Sequence, residues 1–216
     1  MNTRVLVADD HAIIRQGLCS LLEKEGDIEV VGAVEDGRKA VELVGQLLPD
    51  IVVMDISMPN LNGIDAARRI VSENPSVKVV ALSMHSSRRF VTEMLSAGAS
   101  GYILKECLFD ELMDAVRTVS GGGIYLSPKI TGVVVDDYLK RLSGQCQPQR
   151  AALTEREREV LQLLAEGKST KQIALDLHVS NKTVESNRRA MMEKLNIHSV
   201  AELTKYAIRE GLTSLE

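Results

Sequence analysis

Apolar residues recur along this chain in two rhythms. Up to about residue 120, short apolar runs alternate with segments of helical spacing. Residues 3–8, 28–34, 50–54, 77–83 and 101–104 are apolar runs bounded by turn signals, which predicts buried strands. Between them, residues 12–24 place Ile14, Leu18, Leu21 and Leu22 on one side of a helix. Residues 37–48, 63–73, 87–97 and 108–119 return to the same spacing. Five strand–helix units predict a five-stranded, doubly wound parallel sheet with helices on both faces, an α/β fold. About 120 residues suit one such domain.

The alternation stops at "SGGG", residues 120–123. Residues 128–142, with Val134, Tyr138 and Leu142 at helical spacing, predict a linking helix. The polar stretch 143–152 has no periodicity and predicts a flexible tether. From Leu153 the rhythm is wholly helical. Thr154 with Glu157 three residues on forms a capping box, and Gly167 closes that first helix. Three more short helices follow, making a small all-α bundle. The expected divisions are a domain at 1–122, a partly helical linker at 123–149 and a second domain at 150–216.

Charge sharpens this division. The 216 residues carry a net charge of −4, but it is uneven. From Arg150 onward there are 11 Lys/Arg and 10 Asp/Glu, against 15 and 20 before it. Within 168–194, six basic residues face three acidic ones. An acidic front half and a locally basic segment behind it suggest two tasks. No apolar stretch approaches the ~18 residues of a membrane span, and the N-terminus enters a strand pattern with no signal peptide. Cys19, Cys107 and Cys146 form no CxxC pair, which argues against a disulfide framework or a thiolate zinc site. A reducing cytoplasm fits, with no membrane partner.

The chemistry of the front half gathers at strand ends. Asp9–Asp10, Asp55, Ser83 and Lys105 each end a predicted strand, and a parallel sheet delivers all such ends to one edge. Carboxylates without His or Cys partners suit Mg²⁺ better than zinc or copper. A carboxylate beside Mg²⁺ can attack a phosphoryl group and form an acyl phosphate. A lysine then supplies a point charge to phosphate oxygens. His11 adjoins the acidic pair but reads as the start of the first helix, and none of the four histidines has a metal-ligand spacing with another.

The order and spacing of the acidic pair, "MDISMPNLNG", Ser83 and "GYILK" resemble the receiver domain of two-component response regulators, over residues 3–120. The resemblance implies that Asp55 accepts a phosphoryl group from a sensor histidine kinase. It implies Mg²⁺ held by Asp10, Asp55 and the backbone carbonyl of Ser57, with Asp9 acting through water. It also implies that Ser83 moves toward the phosphoryl group, that Tyr102 swings inward and that Lys105 pairs with a phosphoryl oxygen. One departure is Glu106, where many receivers have a proline after the lysine, often in a cis bond. A non-proline cis bond costs about 2.5–4 kcal/mol.

Residues 168–195 have the layout of a helix–turn–helix, with the turn at His178–Val179. In the second helix Val184, Met191 and Leu195 form an inward face, and Lys182, Ser186 and Arg189 lie on another, polar face. The block from Leu153 resembles the LuxR-type helix–turn–helix domain, and the whole chain resembles the NarL/FixJ family of response regulators. That resemblance implies that Glu185, Ser186 and Arg189 face bases of double-stranded DNA, while Lys182, Thr183 and Arg188 approach phosphates. It implies that Val200, Leu203 and Ala207 lie on a dimerising helix, although core packing is equally compatible with their spacing. The chain is thus expected to be a transcription regulator, homodimeric when phosphorylated, with RNA polymerase as a further partner. It is not expected to be an enzyme beyond its own phosphoryl uptake and slow loss. A Mg²⁺-dependent phosphatase is the rival reading, but such enzymes commonly place a second acid at the position of Ser57. A constitutive DNA-binding protein with an inert receiver is opposed by the intact Asp9, Asp10, Asp55, Ser83 and Lys105 set.

Overall fold

A computed structural model describes residues 2–142 and 153–213, so the expected tether at 143–152, Cys146 and the expected start of the second domain at 150 lie outside the described residues. The described chain falls into two compact units. The first alternates β1 (Thr3–Ala8), α1 (Ala12–Leu22), β2 (Ile28–Val34), α2 (Gly37–Leu47), β3 (Ile51–Asp55), α3 (Gly63–Glu73), β4 (Lys78–Ser83), α4 (Arg88–Ser96), β5 (Gly101–Leu104), α5 (Leu108–Ser120), β6 (Tyr125–Leu126) and α6 (Pro128–Leu142).

All strand pairings are parallel, in the order β2-β1-β3-β4-β5-β6. The doubly wound sheet expected from the sequence is present, but it has six strands rather than five. The sixth is two residues long, too short to show a period of two, and it was hidden in the stretch expected to be a linker. Tyr125 N–H donates to Ser100 O and Ser127 N–H to Tyr102 O, so the strand is zipped to β5. The Ser127 hydroxyl accepts from Leu104 N–H and donates to the Glu111 carboxylate on α5. Residues 125–142 are therefore part of the sheet unit, and α6 packs against α4.

Alternation along the strands divides the core. Val5, Val7, Ile51, Val53, Val80, Leu82 and Ile103 point to one face and pack with Leu18 and Leu22 of α1 and Leu112, Ala115, Val116 and Val119 of α5. Their neighbours Leu6, Ala8, Val52, Met54, Val79 and Ala81 are equally buried on the other face, where α2 and α3 lie. Each buried aliphatic side chain is worth about 1.5–3 kcal/mol. With no Trp and two Phe in the chain, these layers are almost entirely aliphatic.

The second unit holds α7 (Glu155–Ala165), α8 (Thr170–Asp176), α9 (Asn181–Leu195) and α10 (Val200–Arg209). The expected Thr154–Glu157 capping box is formed, and Ser169–Gln172 makes a second one on α8. Ser180 and Ser199 cap α9 and α10. The turn between α8 and α9 passes through His178 at φ 52°. The core is built from Val160, Leu161, Leu163, Ile173, Leu177, Val184, Met191, Leu203, Ala207 and Leu212. Leu203 and Ala207, expected on a dimerising face, are fully buried in this core, and of that trio Val200 alone is exposed. A helical period marks an apolar face but not what covers it.

Gly63 opens α3 where the chain returns to the end of β3. Its N–H donates to Ile56 O at 2.8 Å, and a Cβ there would lie 1.9 Å from the Asp55 carbonyl oxygen. No side chain fits so close to backbone. Gly63→Ala is expected to destabilise the sheet unit by about 1–3 kcal/mol, the usual cost of overpacking, with a matching drop in the urea midpoint. An unchanged midpoint would mean that the turn after β3 yields freely.

Candidate functional site

The strand order reverses at β1, which lies between β2 and β3. Ligands of doubly wound sheets bind outside the strand C-termini at such a reversal. Asp9 and Asp10 follow β1 here, and Asp55 ends β3 beside it. Ligand atoms of Asp9, Asp10, His11 and Asp55 all lie within 4.8 Å of one another.

Lys105, just past β5, reaches into this group with its side chain only 5 % exposed. Its ammonium donates to Asp55 Oδ2 at 2.7 Å and lies 2.8 Å from Asp9 Oδ2, an ion pair off the line of a hydrogen bond. Asp9 Oδ1 accepts from His11 N–H at 2.8 Å, so both Asp9 oxygens already have partners within the chain. His11 begins α1 as expected, and its Nδ1 also lies 2.6 Å from Asp10 Oδ1. Arg15 closes the loop by donating to Asp9 O at 2.6 Å. Ser57 N–H points to Asp55 Oδ1 at a long 3.4 Å. The Lys105–Glu106 bond is trans, as are all peptide bonds among the described residues.

Electrostatics follow from this crowding. Burial pushes the Asp55 carboxyl up to about 7; the Lys105 ammonium pulls the other way, while Asp9 and Asp10 add to the rise. Burial also works against the charge on Lys105, but Asp55 and Asp9 outweigh it and hold the ammonium above its ordinary range. Three carboxylates against one ammonium leave an excess of two negative charges. Three clustered carboxylates fit a hard divalent cation, and the His11 ring supplies a further ligand atom within 4.8 Å of theirs.

Ser83 ends β4, next to β3, where Leu82 is in register with Asp55. The Ser83 hydroxyl accepts from His85 N–H at 2.9 Å and donates to His85 O at 3.2 Å. Tyr102, fully buried, donates its hydroxyl to the same His85 carbonyl at 2.8 Å. Burial raises its pKa to about 12, against a hydrogen bond from Ser83 that lowers it. The His85 ring stacks on Phe90 of α4 at 4.7 Å. Ser83, His85 and Tyr102 thus tie the loop before α4 into one cluster. His85 has no special position in the sequence; only the fold brings its carbonyl between the two hydroxyls.

In the second unit, Lys182, Thr183, Glu185, Ser186 and Arg189 lie exposed on α9, with Arg188 half-buried. Val184 and Met191 face inward as expected. Ser180, Lys182, Thr183, Ser186, Asn187 and Ala190 line a hollow of about 350 Å³. Asn187 turns back on its own helix and donates to Thr183 O at 2.8 Å. At the far end of α9, Lys194 donates to Glu157 of α7 at 2.8 Å and so helps fix the pitch of the exposed face.

A doubly wound unit with an acidic, lysine-braced sheet edge, followed by a helix–turn–helix, defines a switchable DNA-binding protein. Residues 5–117 match the response regulator receiver domain, and residues 151–207 match the bacterial regulatory proteins of the luxR family. The transcriptional regulatory protein DegU of Brevibacillus brevis is 37 % identical, over 96 % of this chain and 94 % of its own. A crystal structure of a LuxR-family two-component response regulator from Aurantimonas superposes with a TM-score of 0.61 at 32 % identity, covering 64 % of this chain and 99 % of that one. The response regulator RcsB, in a complex with DNA, superposes at 0.60 with 27 % identity, over 95 % and 98 % of the two chains. The chain belongs to the NarL/FixJ family of two-component response regulators, whose members are DNA-binding transcription regulators.

The Glu157–Lys194 pair gives α9 a pH dependence. Burial opposes ionisation of Glu157, but Lys194 and Thr154 prevail and hold its pKa below the ordinary value. A depressed folded pKa contributes stability above the unfolded value of about 4.3, lost as pH falls through the folded value. Lys194→Met is therefore expected to lower the unfolding midpoint of the helical unit at pH 7 and to have little effect near pH 3. Equal losses at both pH values would remove the pair as the cause.

Proposed function

We propose that Asp55 is the phosphoryl acceptor of this response regulator and that a sensor histidine kinase is the donor. The observation that carries this reading is Lys105, buried and held at once by Asp55 and Asp9 at the sheet edge. In the transfer an Asp55 oxygen attacks phosphorus, an O–P bond forms, and the donor's bond to phosphorus breaks with its electron pair going to the leaving group. Oδ2 is engaged by Lys105, which leaves Oδ1, with its long bond to Ser57 N–H, as the freer nucleophile. Asp10, Asp55 and the Ser57 carbonyl would hold Mg²⁺, with Asp9 in the same group and acting largely through water. Bound there, the ion offsets the carboxylate excess and stabilises charge on the phosphoryl oxygens.

The acyl phosphate adds about one negative charge and three acceptor oxygens beside Lys105 and Ser83. Ser83 can serve them only by leaving His85, with which it now shares two hydrogen bonds. Tyr102, bound to the same carbonyl, is freed to move with the loop. The phosphoryl group thus favours one arrangement of a loop that has two. The receiver in this reading runs through α6 rather than ending at residue 122, and the DNA-binding domain begins near residue 150.

On α9, Glu185, Ser186 and Arg189 would read base edges, and Lys182, Thr183 and Arg188 would contact phosphates. Lys182 and Thr183 stand in the first turn, where the helix dipole favours an anion. The active form would be a homodimer acting on RNA polymerase at a promoter in the cytoplasm. No helix among the described residues is long and apolar enough to cross a membrane.

Incubation with acetyl phosphate and Mg²⁺ is expected to add about 80 Da, one phosphoryl group, and the adduct should be absent from Asp55→Asn. An adduct that persists in that variant would move the acceptor elsewhere. On a footprinted operator, Arg189→Ala should cost about 1–3 kcal/mol and relax the preference at one base pair. Lys182→Ala should weaken all sequences alike and reduce the salt slope by about 1. Fluorescence anisotropy across a salt series separates the two.

A further inference from the structure

Lys105 is bracketed by the segment that opens α6. The residue before it, Leu104, donates its N–H to the Ser127 hydroxyl at 3.3 Å, and the residue after it, Glu106, pairs with Lys129 at 2.5 Å. Ser127 and Leu104 are both buried. The side chains of Lys129 and Glu106 are 66 and 58 % exposed, and ion pairs in water contribute little. The buried hydroxyl is therefore the half of the bracket that matters.

The ladder explains why a side chain is needed there. β5 and β6 pair Tyr102 with Leu126, and Ser127 N–H donates to Tyr102 O. One step further, a parallel ladder would give Leu104 N–H to Ser127 O. That carbonyl is taken: it accepts from Ile130 N–H at 2.8 Å and Thr131 N–H at 3.1 Å as α6 begins. The Ser127 hydroxyl stands in for its own carbonyl. A serine in front of a helix ordinarily turns its hydroxyl onto that helix's first N–H groups. This one turns to β5 instead, and donates its proton to the Glu111 carboxylate on α5.

We infer that Ser127, held by Glu111, is a positioning residue for Lys105: it fixes the end of β5 so that the ammonium meets Asp55. The inference rests on the phosphoryl-acceptor reading above and adds a residue to it. Position 106 gives a second reason. The bond after Lys105 is trans and leads to Glu106, so no proline ring constrains the backbone there. The constraint comes from across the sheet edge, through the backbone of Leu104. Lys105 meets Asp55 at 2.7 Å and Asp9 at 2.8 Å, so a shift of the strand end would disturb both pairs together.

The rate of phosphoryl uptake by the full chain from acetyl phosphate and Mg²⁺, followed by mass spectrometry, tests this. Ser127→Ala is expected to slow uptake about three- to tenfold, the contribution of one hydrogen bond. Lys105→Met should slow it too, and adding Ser127→Ala to that variant should cost less than about twofold, because the group being positioned is gone. Ser127→Thr keeps the hydroxyl and should stay closer to the wild type than to Ser127→Ala. If Ser127→Ala does not fold by circular dichroism, Glu111→Ala, which frees the same hydroxyl, takes its place in the cycle. Equal slowing with and without Lys105, or a Ser127→Thr rate no better than that of Ser127→Ala, reduces Ser127 to packing and overturns the inference while the acceptor reading stands. Uptake indifferent to Asp55→Asn and Lys105→Met alike overturns that reading, and the inference with it.

Discussion

One ammonium group among three carboxylates governs the sheet unit. Lys105 touches Asp55 and Asp9 in a place where water cannot screen the charges, and Asp10 lies alongside. A buried charge without a partner costs several kcal/mol, so the carboxylates and the lysine must be delivered together. The sheet does this by topology. Strands β1, β3 and β5 come from widely separated parts of the chain, and parallel pairing puts their C-termini on one edge. Gly63 lets the chain double back tightly enough to keep Asp55 at that edge. The result is a site in which one lysine only partly offsets three carboxylates.

Most of this architecture was legible in the sequence because burial on both faces gives parallel strands long apolar runs. "GYIL" could be read as a strand at four residues since every position is apolar or glycine. Tyr125–Leu126 could not, since two residues carry no period; its existence depends on unpaired groups along β5 that only the assembled sheet presents. The acidic cluster and its lysine were legible because each member ends or directly follows a strand. His85 was not, because its backbone carbonyl, rather than its side chain, does the work of joining Ser83 to Tyr102. Periodicity also left Leu203 and Ala207 undecided between a core and an interface. Their complete burial in the core of the helical unit, where α10 packs on α7, decides for the core.

The two units divide their labour by the kind of order each needs. The sheet edge holds groups within hydrogen-bond reach of one another. The helical unit instead presents a fixed face: α9 is pinned by Ser180 at one end and by Lys194–Glu157 at the other, with Val184 and Met191 anchoring its inner side. Its outward residues can vary without disturbing that frame, which is how one fold can serve many operator sequences.

The short strand β6 also has a bearing on how this protein tolerates being cut. A sheet border with bare N–H and C=O groups invites pairing with other chains, and proteins commonly shield such borders. Here the shield is Tyr125, Leu126 and Ser127, which satisfy Ser100, Tyr102 and Leu104 along the outer side of β5. A fragment ending at the glycine cluster near residue 122 would strip that cover from a strand whose four residues are all buried. Self-adhesion of such truncated pieces would then reflect a torn sheet margin, and would say nothing about how intact copies meet.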